Sequence, residues 1–159
     1  MQDFRVGFGY DSHRLEVGLK LRLGGVDIAS DCGCVAHSDG DALIHALCDA
    51  LFGAAGLEDI GTHFPDSNPA YKNADSTVLL QKTVALLHQS GWKINNADLT
   101  IVLEKPKLSS YKSLIKRKLA SILQFSEDAV SVKAKTNEKM DSVGQGDGVA
   151  AMAVVSIVR

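Results

Sequence analysis

Apolar residues recur along this chain with two periods, and the switch between them marks the elements. Residues 4–10 alternate through Phe4, Val6 and Phe8, and residues 20–28 alternate around Gly24-Gly25, so both segments read as strands. The glycine pair implies a bulge or a close backbone approach. Together the two segments read as a hairpin with a long loop, which opens on Asp11-Ser12-His13. From residue 39 to about residue 55 the spacing becomes helical: Asp39 suits an N-cap, Leu43, Leu47 and Ala50 recur at three- and four-residue steps, and Gly56 suits the stop. Residues 57–74 form a loop rich in Gly, Pro, Asp and Asn, longer than a connector needs. A second helix fits residues 76–88, closed by Ser90-Gly91, and an alternating strand follows that ends in the apolar run 99–103 before Pro106. A third helix covers roughly residues 109–123, and strands at residues 130–136 and 149–158 flank a Gly-rich loop. The order β-β-α-α-β-α-β-β, without internal repeat, predicts an α/β fold: a single-domain sandwich over residues 1–159, with a mixed β-sheet covered on one face by about three helices.

Composition narrows the function classes. Hydrophobic residues make up 45% and charged residues 23% of 159, enough for one packed core and unlike a disordered chain. The formal net charge is −2. The one local basic cluster, Lys112, Lys116, Arg117 and Lys118, has helical spacing, where lysines solvate a surface, so no nucleic-acid partner is expected. No run reaches the roughly 18 apolar residues that cross a bilayer, and no targeting pattern precedes the first strand. The expectation is a soluble protein of the cytoplasm, or of the plastid stroma if a transit segment has been removed, with no membrane partner. Cys32, Cys34 and Cys48 are an odd set that suits free thiols in a reducing compartment. A thiolate zinc site is disfavoured by the single residue between Cys32 and Cys34, since structural pairs are spaced by about two to four. Cys48 reads as a core residue and the other two as loop residues.

The chemistry-bearing residues fall into three groups. In an extended segment residues i and i+2 face the same way, so Asp11 and His13 can point at one ion. Asp41, His45 and Asp49 stand four apart on one helix face, opposite Leu43 and Leu47. Two imidazoles and a carboxylate from Asp11, His13 and His45 suit zinc with a fourth position left open, as catalytic sites require; manganese and iron accept the same donors. Asp49, one turn beyond His45, is expected to hold that imidazole through its other nitrogen. An Asp-x-His pair alone is equally a surface feature; what adds weight is the polar run 36–41, with His37 and Ser38, leading into a helix whose N-terminal amides favour a phosphate. In the second group, Asp59-Ile60-Gly61 and Phe64-Pro65-Asp66 offer carboxylates to substrate hydroxyls, or simple turn chemistry. In the third, Lys135-Thr136-Asn137-Glu138-Lys139 offers a hydroxyl, a carboxylate and two cations, suited to a diphosphate carrying its own metal ion, or to a solvated turn. Gly144-Gln145-Gly146-Asp147-Gly148 precedes a strand instead of joining a strand to a helix, so it is not a dinucleotide loop.

Taken in order, Gly9-Tyr10-Asp11-Ser12-His13, the run 36–41 with His45, Asp59-Ile60-Gly61, Phe64-Pro65-Asp66, Pro106-Lys107 and Thr136-Asn137-Glu138-Lys139 resemble the 2-C-methyl-D-erythritol 2,4-cyclodiphosphate synthase family from end to end. The resemblance implies conversion of 4-diphosphocytidyl-2-C-methyl-D-erythritol 2-phosphate to the 2,4-cyclodiphosphate with release of CMP, by a homotrimer with active sites between subunits. It implies zinc on Asp11, His13 and His45, and a second ion, magnesium or manganese, held partly by Glu138. His37 and Ser38 would lie on a loop over the diphosphate, and His37 and Thr136 would stabilise the transition state. Asp59 and Gly61 would orient the erythritol hydroxyls, with Phe64, Pro65, Asp66, Lys135 and Asn137 among the remaining substrate contacts. Leu103, Pro106 and Lys107 would lie on the segment around the cytosine. After Lys139 the chain departs from the family run: Ser142 and Gln145 stand where an aromatic residue and an arginine are usual, which removes support for an isoprenoid-diphosphate cavity on the trimer axis. Two alternatives stay open: a metal-dependent phosphohydrolase that uses water as the nucleophile, and a non-catalytic trimeric ligand-binding module. The mark of the module, an apolar residue at position 37, 136 or 138, is absent.

Overall fold

The computed structural model describes residues 3–159. Its strands are β1 (Phe4–Val17), β2 (Leu21–Leu23), β3 (Val26–Ile28), β4 (Cys32–Cys34), β5 (Lys93–Val102), β6 (Val130–Lys135) and β7 (Gly148–Val158). Its helices are α1 (Ala42–Ala55), α2 (Ile60–His63), α3 (Ser76–Gln89), α4 (Lys112–Leu123) and α5 (Asp141–Gly144). Five strands form one sheet in the order β4-β1-β7-β5-β6, in which only β5 and β6 run parallel. The helices α1, α3 and α4 pack together on one face, α1 against β1 and β7 and α4 against β6. The mixed sheet with one helical face is thus the architecture that the periodicity predicts.

What sets the spacing of the layers is the inner face of β1. Gly7 and Gly9 stand there, and a Cβ on either would fall 1.9 Å from a carbonyl oxygen of α1, that of Ala50 or Ala46. The helix therefore lies on bare strand backbone. The alternating apolar residues that make β1 legible, Phe4, Val6, Phe8 and Tyr10, all point outward and are exposed. Buried side chains from α1, α3, α4 and the inner faces of β5 and β7 form one continuous core.

Several expectations need correction. The first strand does not stop at residue 10; its ladder with β7 continues to Arg14↔Gly148, so Asp11, Ser12 and His13 are strand residues rather than loop residues. Residues 20–28 do not pair with β1, whose neighbours are β4 and β7. They fold on themselves as β2 and β3, and Gly24 and Gly25, with φ of 61° and 74°, are the turn rather than a bulge, a pair of left-handed residues suited to a two-residue hairpin. Cys32 and Cys34 lie in β4, not in a loop, and all three cysteines are free. Burial pushes the Cys34 and Cys48 thiols up to about 12, which makes them poor nucleophiles and ligands. The long loop carries α2 and a 3-10 turn at Pro69–Tyr71. Among the described residues no helix is long and apolar enough to cross a membrane.

Candidate active site

The register of β1 sends Asp11 and His13 to the same inner face as Gly7 and Gly9. Along α1, Ala54, Ala50 and Ala46 meet the two glycines, and His45 is the next residue of the helix to confront the strand. The outcome is a tight corner. Asp11 Oδ2 is 3.0 Å from both His13 Nε2 and His45 Nδ1, and the two ring nitrogens are 3.2 Å apart. Their donor atoms are the one group of three or more His, Cys, Asp or Glu ligands among the described residues that meets within 4.8 Å. Ligand atoms about 2.0–2.1 Å from a tetrahedral zinc stand roughly 3.3 Å from one another, so the corner fits such an ion as it is. Burial raises the Asp11 carboxyl, but hydrogen bonds from His13 and His45 and their charge outweigh it and hold it at about 2. Burial pulls His45 down, yet the hydrogen bond and charge of Asp11, with the charges of Asp41 and Asp39, leave it above its ordinary value. The site is thus tuned for cationic charge between acceptors.

A cleft of about 260 Å³ opens over this corner, and His37, Ser38, Gly61, Phe64 and Asp66 line it. The His37 carbonyl accepts the Asn73 N–H at 2.9 Å and the Asp39 N–H donates to Ala74, which fixes the base of the 36–41 run. Asp59 and Pro65 do not line the cleft. Asp59 caps α2 through Thr62, whose N–H and hydroxyl each donate to Oδ1 at 2.8 Å, and those bonds hold its exposed carboxyl below its ordinary value.

Two roles read from spacing shift to other residues, and a third falls away. Asp41, not Asp39, caps α1; fully buried, it accepts N–H groups from Ile44 at 3.1 Å, Gly24 at 2.8 Å and Gly25 at 2.7 Å. The N-terminus of α1 is therefore filled by the protein's own carboxylate and offers no phosphate seat. Asp49 does not orient His45: its Oδ1 accepts the Ile60 N–H at 2.7 Å and ties α1 to α2. The partner of His45 Nε2 is Ser76 Oγ, 2.9 Å away, a residue the sequence reading missed because nothing in a spacing rule links a helix-opening serine to a histidine 31 positions earlier.

The third group lies apart. Leu103, Pro106, Lys107, Lys135 and Thr136 line a separate hollow of about 220 Å³. Beside it Thr136 donates its hydroxyl to Glu138 Oε1 at 3.0 Å, and Glu104, also missed, accepts the Asn137 N–H at 3.2 Å. Glu138 and Lys139 have φ of 50° and 59°, a left-handed turn that swings the chain away from the end of β6. Gln145 braces the same loop, donating from Nε2 to the Lys139 carbonyl at 2.9 Å. Across the sheet Ser12 pairs with Ala150, Ala150 with Val102 and Val102 with Lys135, three interstrand steps or roughly 14 Å. Within one chain the two groups do not touch.

Residues 4–158 match the sequence profile of the YgbB family. The chain belongs to the YgbB family. A YgbB relative 50% identical over 156 residues is the chloroplastic 2-C-methyl-D-erythritol 2,4-cyclodiphosphate synthase of Oryza sativa subsp. japonica, with 98% of this chain and 70% of that protein covered. Among solved structures, the bifunctional IspDF from Campylobacter jejuni superposes with a TM-score of 0.95 at 36% identity; the match spans 99% of this chain and 43% of that one. A 2C-methyl-D-erythritol-2,4-cyclodiphosphate synthase with bound CDP superposes with a TM-score of 0.89 at 40% identity, over 95% of this chain and 98% of that one. The YgbB match agrees with the family resemblance carried by the motifs.

Proposed function

We propose that this chain is an enzyme, a phosphorus-oxygen lyase that cyclises 4-diphosphocytidyl-2-C-methyl-D-erythritol 2-phosphate to 2-C-methyl-D-erythritol 2,4-cyclodiphosphate and releases CMP, in mevalonate-independent isoprenoid precursor synthesis. The observation that carries this reading is the meeting of Asp11, His13 and His45 at the floor of a cleft, in a chain half identical to a synthase of that name. Asp11, His13 and His45 would hold zinc, and Glu138 would help hold a magnesium or manganese ion. When bound, the ions neutralise two anionic groups that must approach each other.

The chain's own residues position and polarise. An oxygen of the 2-phosphate forms a bond to the β-phosphorus, and the bond from that phosphorus to the bridging oxygen breaks, its electron pair leaving on CMP. No protein nucleophile is needed. His37, at the cleft, and Thr136, once its hydroxyl turns from Glu138 to the substrate, donate hydrogen bonds to the charge that builds during transfer, each worth about 2.7–4 kcal/mol if it acts as an oxyanion-hole donor does. Ser38 sits over the diphosphate, Asp59 and Gly61 orient the erythritol hydroxyls, and Phe64 and Asp66 wall the cleft on either side of Pro65, which holds the turn between them. Leu103, Pro106 and Lys107 receive the cytidine, while Lys135 and Asn137 place its phosphates.

The working unit is a homotrimer. Within one chain the strand positions beside the two hollows stand roughly 14 Å apart, which supports a site completed by a neighbour's second hollow, and the outward apolar residues of β1 offer the contact surface. Each chain acts as a single domain, in the cytoplasm or, as for the rice relative named chloroplastic, in the plastid stroma. Phosphorus NMR of the protein with the cytidylyl substrate tests the reading: cyclic diphosphate and CMP in equal amounts are expected. Linear phosphates alone would identify a hydrolase and overturn it.

A further inference from the structure

His45 turns only Nδ1 toward Asp11 and His13; its other nitrogen is built into the protein. Nε2 lies 2.9 Å from Ser76 Oγ and 3.2 Å from Ser38 Oγ. Ser76 opens α3 and is fully buried. It gives its hydroxyl proton to Asp39 Oδ1 and its backbone N–H to Asp39 Oδ2, the latter at 3.0 Å. A carboxylate only accepts, and a serine hydroxyl has one proton to give. With that proton committed to Asp39, Ser76 Oγ is left to accept from His45, so Nε2 carries the ring proton and Nδ1 presents a lone pair. Asp39 is itself braced: it accepts the Asp41 N–H at 3.2 Å, and Arg22 Nε stands 3.8 Å from its Oδ2 while Arg22 Nη2 reaches Asp75 at 3.4 Å. Ser38, whose Oγ accepts the Gly40 N–H at 3.3 Å, is the looser neighbour, with its own proton uncommitted.

We infer that Ser76 and Asp39, braced by Arg22, are positioning residues that hold His45 with its proton on Nε2 and aim Nδ1 at the corner made by Asp11 and His13. The inference rests on the metal reading of that corner and is independent of the substrate. Neither residue touches the ion or the reacting atoms; both act through the imidazole, as the outer partners of metal-bound histidines do.

The test compares the full chain with Ser76→Ala and Asp39→Asn. Zinc dissociation constants come from competition with a chromophoric chelator, and the nitrogen–proton resonance of His45 Nε2 is followed in the zinc-loaded protein. The unaltered chain should show a slowly exchanging Nε2 proton. Ser76→Ala should bind zinc about 10- to 100-fold more weakly and lose that proton's protection from exchange. Asp39→Asn keeps the shape but cannot accept both the hydroxyl and the N–H of Ser76, so it should weaken zinc in the same direction, and it decides the matter if Ser76→Ala fails to fold. Equal zinc affinity in all three proteins, with the Nε2 resonance unmoved, overturns the inference and leaves the metal site standing. An unaltered chain that binds no zinc sinks the metal reading and this inference with it.

Discussion

Asp41 shows why residue type and spacing are a partial guide to role. It shares a helical stripe with His45 and Asp49, yet it turns inward, beyond the reach of solvent, and closes three backbone N–H groups from two separate elements. The choice between Asp39 and Asp41 as the cap is made by the Gly24-Gly25 turn, a contact invisible to any local rule. Replacing Asp41 by Ala strands those three donors at about 1–3 kcal/mol each, so urea unfolding should report a loss of about 3 kcal/mol or more. The charges of the corner give a pH signature as well. His45 is raised by its acidic neighbours, so its contribution to the metal-free protein is complete below its ordinary value and is lost as pH rises through the folded one. Asp11, held at about 2, stabilises above its ordinary value of 3.8 and loses that only in strong acid. Asp41, pushed up to about 6 chiefly by burial and against its backbone hydrogen bonds, has lost its contribution by neutral pH. Above the ordinary His45 value of 6.5 that contribution is the one still being lost, and the metal-free melting temperature should fall as pH rises through the raised folded value. Zinc takes the place of the proton on Nδ1, so its affinity should climb over the same interval; calorimetry with and without zinc checks both, and a metal-free protein that grows more stable toward pH 8 contradicts the assignment.

At the scale of elements, the site exists because α1 can lie directly on β1. The kinds and order of the long elements were legible, since periods of two and of three to four are strong signals, and the shared direction of Asp11 and His13 followed from the strand period alone. The inward face of β1 was not legible. Its apolar alternation belongs to the outer face, and the inner positions Gly7 and Gly9 carry no hydrophobic signal at all. The clue lay in the match of two glycines two residues apart with Ala46, Ala50 and Ala54 one turn apart, a pattern of smallness instead of hydrophobicity. The short β4 escaped notice because three residues are too few for any period. Two substitutions test this seam. Gly9→Ala puts a Cβ 1.9 Å from the Ala46 carbonyl oxygen and 2.7 Å from the Ala50 nitrogen, both of them backbone, so the helix must move and carry His45 with it. A loss of about 1–3 kcal/mol or more is expected, together with weaker zinc binding. Gly53→Ala, on the exposed side of the same helix where a Cβ meets nothing within 4 Å, should instead gain about 0.5–1 kcal/mol and leave zinc binding unchanged. Equal effects from the two would show that close approach is not what positions His45.

For the whole molecule, the sheet has one covered face and one bare one. On the bare face the row Phe8, Val154 and Asp98 passes from an apolar edge to a polar one, where Asp98 Oδ2 accepts from Lys133 at 2.6 Å. Phe4, Val6, Phe8 and Tyr10 therefore form a continuous apolar stripe confined to one side of the sheet, the kind of surface that marks a protein contact. Alternation identifies a strand without saying whether its apolar face meets helices or another subunit, and only the family resemblance suggests the latter. The stripe and the separation of the two hollows lead to one expectation. Phe8, 63% exposed, touches neither group of site residues, so Phe8→Glu should leave the fold and the Asp11–His13–His45 corner intact while placing a charge in the contact. Sedimentation should then find a monomer in place of the proposed trimer. Zinc affinity should persist, because all three ligands come from one chain. On the proposed intersubunit site turnover should nevertheless collapse, because the hollow lined by Lys107 and Thr136 would no longer reach a neighbour's Asp11–His13–His45 corner. A Phe8→Glu monomer with undiminished turnover would mean that a single chain completes the site, and an unaltered protein that sediments as a monomer would remove the trimer from the account.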